Sequence, residues 1–437
     1  MVRGTGFPAG ASDREFWLRS LREQYRASIG GLEPVFWILW WGTLVNRLAN
    51  FTVTFLAMYL MQKRGFSAAT AGRVVALYGL GGTLASPLGG VLADRLGRRA
   101  TMLSGLTLSA LSVGLLPFAQ APIILAGLAS LAGASSQIYH PAVSAAVADV
   151  VPLPDRRRAY GLLYWAINMG LTLGYAVASV VASRNLSALF LADAATTLVC
   201  AALIAAVVGE TRPEGLSPES VMAGLRLVFS DAVFLVFLGL HLIALVVFTQ
   251  WQLALPLDLA RHGFAPGTFA SLMAFNCMGV VLLQPWLTPL LRRFEGAHLL
   301  ATSALLFGAG FGVNAFAIHL PLYLLGVTLW TVGEVVGFPV ASTLVADLAP
   351  ASLRGRYQGA FSMVWGLAFT LSPIAAGELL DHAGARALWG LCFAAGATIA
   401  AGHLAAAGPR RRRLSAAKRL PVSAAPLSHA RETSQGG

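Results

Sequence analysis

Gly90-Val91-Leu92-Ala93-Asp94-Arg95-Leu96-Gly97-Arg98-Arg99 is the stretch whose reading decides the fold. It follows one apolar run and precedes another. One carboxylate, three arginines and two glycines fall within ten residues, too few to fold alone. Charge at that density is costly in hydrocarbon, so the stretch belongs at a membrane face, as a short loop between two spanning helices. Its arginines assign that face to the cytoplasm.

Composition agrees with an all-α integral membrane protein. Of 437 residues, 57% are hydrophobic and 11% charged, with mean hydropathy +0.69; a soluble domain carries roughly a quarter charged residues. The net charge of +12 is concentrated in short loops and in the tail at Arg410-Arg411-Arg412-Arg413. That distribution orients a membrane protein and attracts anionic lipid. Without aromatic–basic interleaving it implies the lipid bilayer as partner, and no nucleic acid. Cys200, Cys277 and Cys392 lie in apolar runs and imply no disulfide framework. No P-loop, metal cluster or nucleophile–base pair is present, so neither an enzyme nor a cofactor or metal is expected. Gly79-Leu80-Gly81-Gly82 falls inside a span and reads as helix packing.

A spanning helix needs roughly 20 apolar residues. Twelve stretches qualify: 35–60, 70–93, 100–119, 121–149, 159–182, 186–208, 232–256, 267–291, 297–317, 320–346, 357–380 and 385–407. Residues 1–34 are expected to form a cytoplasmic segment, with no cleavable signal evident in them. Ser12-Asp13-Arg14-Glu15 there caps a possible interfacial helix carrying Phe16, Trp17, Leu18, Leu21 and Tyr25, the alternative being a disordered terminus. The remaining units are a six-helix bundle at 35–208, a cytoplasmic linker at 209–231, a second bundle at 232–407 and a basic tail at 408–437 expected to be disordered. With both termini inside, the inner segments hold 24 of the 31 basic residues and the outer loops six; Arg47 lies within the first span.

The halves repeat. A shift of 198 residues, without a gap, aligns Pro141 with Pro339, Ser144 with Ser342, and Ala148-Asp149 with Ala346-Asp347. It also aligns Pro152 with Pro350, Arg156 with Arg354, Arg158 with Arg356 and Gly161 with Gly359. A degenerate copy of the opening loop lies in Leu287–Gly296, where Arg292, 198 residues on, takes the place of Asp94. This predicts two pseudo-symmetric six-helix bundles.

The order G-x-L-A-D-R-x-G-R-R closely resembles the loop between helices 2 and 3 of major facilitator superfamily transporters. The resemblance extends over about 35–407. It implies a secondary transporter working by alternating access, with the substrate site between the halves. It also implies a cytoplasmic gate of Gly90, Asp94, Arg95, Gly97, Arg98 and Arg99 with Asp149, which latches the inner face. Two carboxylates around a guanidinium make a directional lock; the bland reading is a solvated charge pair of little weight.

Arg47 lies about twelve residues from each end of the first span, where a charge costs about 2.5–3.5 kcal/mol on insertion scales. Thr43, Asn46, Asn50 and Thr54 share its side at helical spacing. Glu334 is its acidic counterpart in span 10, with Thr331, Phe338 and Ser342 on its face, and a carboxyl in such a setting suits proton binding. The proton-coupling candidates are therefore Glu334, Arg47 and His241, with pairing of Glu334 and Arg47 across the cleft as one hypothesis. Gln137, Tyr139, His140, Asn168, Gln250, Trp251, Gln252 and Asn276 are further polar residues in spans, and with Asn46, Asn50 and His241 they are cavity candidates. Each also has a structural reading as a packing or interhelical hydrogen-bond residue. Asp193, Asp258 and Glu378 fall close to outer helix ends, where water is near, and carry less weight.

In span 5, Gly161, Gly170 and Gly174 match the family's antiporter motif, but Tyr175 stands where its proline falls, and Ala178 and Ser179 replace its last glycines. Ala129 occupies the place of the drug exporters' arginine in span 4. Thr43-Leu44-Val45-Asn46-Arg47 keeps only the arginine of the peptide transporters' E-x-x-E-R. The chain thus looks most like the bacterial proton-coupled drug-efflux branch with twelve helices, a functional monomer in the plasma membrane exporting a small amphipathic or cationic molecule. Proton-coupled uptake through the same fold and a non-transporting membrane scaffold or sensor remain the alternatives.

Overall fold

The computed structural model describes residues 30–48, 52–66, 68–213, 220–264 and 266–419. Among these the chain runs almost continuously in helices: α1 Pro34–Leu48, α2 Thr52–Arg64, α3 Ala68–Leu96, α4 Arg98–Leu115, α5 Pro122–Val150, α6 Arg156–Arg184, α7 Leu186–Val207 and α8 Val221–Ser230. The second half follows as α9 Ala232–Phe248, α10 Ala254–Arg261, α11 Pro266–Leu291, α12 Gly296–Gly312, α13 Leu320–Leu348, α14 Arg354–His382, α15 Gly384–Ala405 and α16 Ala407–Arg419. Among the described residues, ten helices are long and apolar enough to cross a membrane. The first predicted span is described in two pieces, α1 and α2, and the fifth is the 29-residue α6. Large apolar side chains such as Leu84, Ile123 and Phe316 are exposed on the flanks, which suits hydrocarbon rather than water.

The 198-residue repeat is carried into the helix bounds themselves. Adding 198 to Pro122–Val150 gives Leu320–Leu348, and to Arg156–Arg184 gives Arg354–His382. The same shift takes Leu186–Val207 onto Gly384–Ala405. Local chemistry explains the register. A proline opens both α5 and α13, where a missing N–H costs nothing. Pro152 and Pro350 are extended, with ψ of 147° and 148°, and end those helices before a short 3-10 turn. The helices outrun the apolar stretches predicted for them: α6 starts at Arg156 and α14 at Arg354, because these arginines find partners across the bundle instead of ending the helix.

The largest buried cluster fills the second half around Phe307, Phe311, Trp330 and Trp389, and two others fill the first, around Phe36, Leu39 and Trp40 and around Tyr59 and Phe190. The halves meet along two related seams. In one, a Cβ on Gly359 would sit 2.9 Å from the Ser86 carbonyl and 3.3 Å from Gly90 Cα; in the other, a Cβ on Gly161 would sit 3.1 Å from Gln284 Nε2 and 3.0 Å from Thr288 Oγ1. Each residue of the first set is 198 positions from its counterpart in the second. The seams α3–α14 and α6–α11 are thus two copies of one contact.

One expectation changes and others fall outside the described residues. Within the linker, α8 is a helix capped by Ser220, whose side chain accepts from Ala223 N at 3.1 Å. The tail continues as α16 up to Arg419 rather than being disordered from 408. The proposed interfacial helix with Phe16 to Tyr25, the tail beyond 419 and the cavity candidate Asn50 lie outside the described residues.

Candidate functional site

The opening loop is a tight turn between α3 and α4. Gly97 has φ +99°, in the left-handed region, and the Glu210 carboxylate occupies the space a Cβ would need. Glu210 accepts from Arg98 N at 2.8 Å and Arg99 N at 3.3 Å, capping the free amides that open α4. The turn aims Arg98 inward. Its Nη1 donates to Asp94 Oδ1 at 2.8 Å and to the Ala93 carbonyl at 2.6 Å, and its Nε donates to Asp149 Oδ2 at 3.0 Å. All three side chains are about 1% exposed. The predicted triad of Asp94, Arg98 and Asp149 is therefore brought together. Arg95 is exposed, and Arg99 bonds the Ala205 carbonyl at 2.7 Å, so neither joins it.

The triad reaches the other half. Asp94 accepts the backbone N–H of Gly355 at 2.8 Å and of Arg356 at 2.9 Å, at the start of α14. A carboxylate there meets unpaired amides and the positive end of the helix dipole. Gly90 and Gly355 face each other so closely that a Cβ on either would strike the other's carbonyl. Asp149 also accepts from Arg354 Nη1, and Arg156 Nη1 donates to Asp347 Oδ1 at 2.7 Å. In the degenerate copy the polarity is reversed. Arg157 Nη1 donates to the carbonyls of Leu291 and Phe294, each at 3.0 Å, at the end of α11. At this arginine-rich end the halves thus meet through ion pairs on both sides, with the Arg157 guanidinium on helix carbonyls and Arg292 3.4 Å from Asp155 in the degenerate copy.

Deeper in the bundle, Glu334 on α13 is 2% exposed. Its Oε2 accepts from Tyr164 OH on α6 at 2.6 Å and its Oε1 from Asn276 Nδ2 on α11 at 2.6 Å. Asn276 also donates to Thr331 Oγ1 at 2.9 Å. The hypothesised ion pair with Arg47 is not what the fold makes: two neutral donors take both carboxylate oxygens. Trp165 Nε1 donates to the Val281 carbonyl at 2.9 Å alongside, a second bond from the first half to the second.

Arg47 instead meets His140, Nη2 to Nε2 at 2.9 Å. An arginine only donates, so that imidazole nitrogen is the acceptor. α1 is brought there by the antiporter-motif glycines: a Cβ on Gly170 would meet Arg47 Cβ at 2.6 Å and the Leu44 carbonyl at 2.9 Å, and one on Gly174 would strike the Leu48 carbonyl.

The other candidates fall elsewhere. His241 stacks on Phe361 at 4.9 Å and Phe237 at 5.5 Å within an aromatic cage that Phe338 and Trp365 complete. Tyr139 lies in the core of the first half, its hydroxyl 3.9 Å from Cys200 Sγ. Asn168 and Gln250 each donate to a backbone carbonyl one turn back, Tyr164 and Val246. Trp251 packs against the second core, and Gln137 Cγ lies 2.9 Å from where a Gly82 Cβ would stand. Asn46 Nδ2 donates to Thr197 Oγ1 at 3.3 Å, beside Asp193.

Two of the lightly weighted acids are buried, contrary to expectation. Asp193 Oδ2 accepts from Thr52 N at 3.1 Å and Thr52 Oγ1 at 2.6 Å, capping α2 from α7. Asp258, 1% exposed, accepts from Tyr323 OH at 2.8 Å. Glu378 is exposed, as expected. Tyr164 was missed altogether. It stands one turn before Asn168, on the same helix face, and that spacing was the available signal.

Comparison with known proteins bears on the family and the fold. The family model described as Major Facilitator Superfamily matches residues 39–295 and 240–434. A Na(+), Li(+), K(+)/H(+) antiporter of Planococcus maritimus is 25% identical over 73% of this chain and 83% of its own length. Multidrug resistance protein MdtH of Aeromonas hydrophila is 26% identical over 79% of this chain and 88% of its own. The human organic anion transporter MFSD10 (TETRAN) superposes with a TM-score of 0.71 at 19% identity, over 86% of this chain and 100% of that one. With two repeated halves in contact at the arginine-rich end, and a family match that runs through both, the chain belongs to the major facilitator superfamily.

Proposed function

We propose that this transporter moves a small organic molecule by alternating access and couples the movement to protons, in the direction of export. The observation that carries the reading is Glu334, a buried carboxylate whose two oxygens are bonded to opposite halves, through Tyr164 and Asn276. An ionised carboxylate accepts such bonds strongly. Protonation weakens them, so proton binding and separation of the halves are linked, and the two conformations differ in proton affinity. Arg47 with His140 supplies the polar ground on the first half for an anionic or hydrogen-bonding part of the cargo. Around Glu334 the second half offers Phe338, Phe248, Trp365 and Phe307, an aromatic wall for an apolar or cationic part. The relatives named as a multidrug resistance protein and as a cation/proton antiporter support export by exchange. Arg95, Arg98, Arg99 and Arg410–Arg413 at one end support a bacterial plasma-membrane protein with both termini in the cytoplasm.

Flux into proteoliposomes under an imposed pH gradient tests this. Drug-panel accumulation driven by a proton gradient of opposite direction is expected for antiport. Uptake running with the proton gradient overturns the direction, and flux indifferent to the gradient overturns the coupling.

A further inference from the structure

Outside the gate and the central polar groups, one charged side chain is buried without the partners a charge needs. Arg410, in the first turn of α16, is 4% exposed. Its Nη1 bonds His403 Nδ1 at 3.0 Å, and its guanidinium carbon lies 5.6 Å from the Phe237 ring centre. Nε and Nη2 meet no hydrogen-bond acceptor among the described residues. His403 accepts here and brings no negative charge. Asp231, the carboxylate at the start of α9, is engaged elsewhere: its Oδ1 caps Phe234 N at 3.1 Å, its Oδ2 accepts from Tyr357 OH at 2.7 Å, and Arg413 stands 3.7 Å away. Burial without a counter-ion lowers the Arg410 guanidinium to about 10.

Arg410 lines a cavity of about 520 Å³ between α9 and α15. Val233, Val236 and Leu240 on α9 and Gly402 and Ala405 on α15 line it, so apart from the arginine the walls are apolar. Ala232, Val236 and Ala405 are exposed, which opens the cavity to the hydrocarbon side. At the charged end Arg411 and Arg412 are exposed as well. The site therefore has an apolar slot, a buried cation with free donors at its head, and more cations beside it. That is the polarity of a lipid lying along a helix bundle at the interface.

We propose that a phospholipid with an anionic headgroup binds here, one acyl chain in the slot between α9 and α15 and its phosphate on Arg410. The apolar walls argue for a lipid over a free phosphate, and the run of arginines argues for an anionic headgroup over a zwitterionic one. Binding ties α16 to the foot of α9, the first spanning helix of the second half.

The melting temperature of the detergent-purified full chain tests the site, with phosphatidylglycerol, phosphatidylcholine of the same acyl chains, and inorganic phosphate as probes. Phosphatidylglycerol is expected to raise it by several degrees, the other two to leave it near the starting value. Arg410→Gln should lose that shift. Val236→Trp, which fills the slot without replacing the cation, should lose it too. An equal shift from phosphatidylcholine, a full shift from phosphate alone, or a phosphatidylglycerol shift that survives Val236→Trp overturns the proposal. Should Arg410→Gln not fold, the Val236→Trp result decides by itself.

Discussion

Arg156 bonds Asp347, Nη1 to Oδ1 at 2.7 Å, and Arg354 bonds Asp149 in the reciprocal arrangement. Each half lends one arginine, from the start of α6 or α14, to the aspartate that ends α13 or α5 in the other. The repeat places the four residues; docking of the halves crosses the pairs. The two bridges are unequal in depth. Asp149 is 1% exposed and shared with Arg98, whereas Asp347 is 21% exposed. Removing one partner of a buried pair costs about 3–5 kcal/mol, and far less at a wet site. Asp149→Asn should therefore lower the melting temperature clearly more than Asp347→Asn. A double-mutant cycle on Arg354 and Asp149 should return a coupling of about 1–3 kcal/mol. Equal effects of the two single variants would contradict the depth assignment.

Glu334→Gln keeps the shape and removes the charge. Flux driven by a pH gradient should fall by roughly tenfold or more, while exchange of substrate without a gradient persists. Tyr164→Phe removes one bond and leaves the carboxyl, so gradient-driven flux should fall less. Full pH-driven flux in Glu334→Gln would place the coupling elsewhere.

Gly90→Ala and Gly161→Ala probe the two copies of the inter-half seam. At Gly90 a Cβ meets the Gly355 carbonyl and the Arg356 Cα, backbone that has nowhere to go; at Gly161 it meets the side chains of Thr288 and Gln284. Overpacking of the first kind costs about 1–3 kcal/mol. Gly90→Ala should leave the arginine-rich end unlatched, read as faster alkylation of a cysteine placed at Ala349. Gly161→Ala should alter that rate little. Identical rates in both variants would mean that the seams are equivalent.

Arg47 and His140 form one unit in which only the acceptor is replaceable. His140→Gln keeps an acceptor and should hold substrate KM within a fewfold, whereas His140→Leu and Arg47→Ala should raise it by about tenfold, the worth of one charge-assisted bond. Arg47→Ala with unchanged KM and turnover would remove this pair from the substrate path.

Much of the fold was legible because its signals are local. Apolar length and arginine distribution follow from the cost of charge in hydrocarbon, and a turn proline acts on its own neighbours, so helix bounds repeat at 198 residues as the aligned prolines do. Asp94 and Arg98 of the triad were legible through the loop motif, and Asp149 through the resemblance to the family's charge cluster. Tyr164 was not, since a tyrosine in an apolar helix is ordinary until its hydroxyl is known to meet a carboxylate. Asp193 and Asp258 were misjudged because depth was inferred from distance to a helix end, and neighbouring helices cover both.

By itself the sequence determined the spans, the two-fold repeat and the loop that joins α3 to α4, because each rests on periodicity, composition or near neighbours. Only the tertiary structure decided which charges meet. Arg354 reaches Asp149 and Arg156 reaches Asp347. Glu334 takes Tyr164 and Asn276 instead of Arg47, and Arg410 is left with donors to spare. Side chains of a few ångströms' reach select partners by how the two halves are set against each other, and that placement is a property of packed surfaces rather than of any stretch of chain.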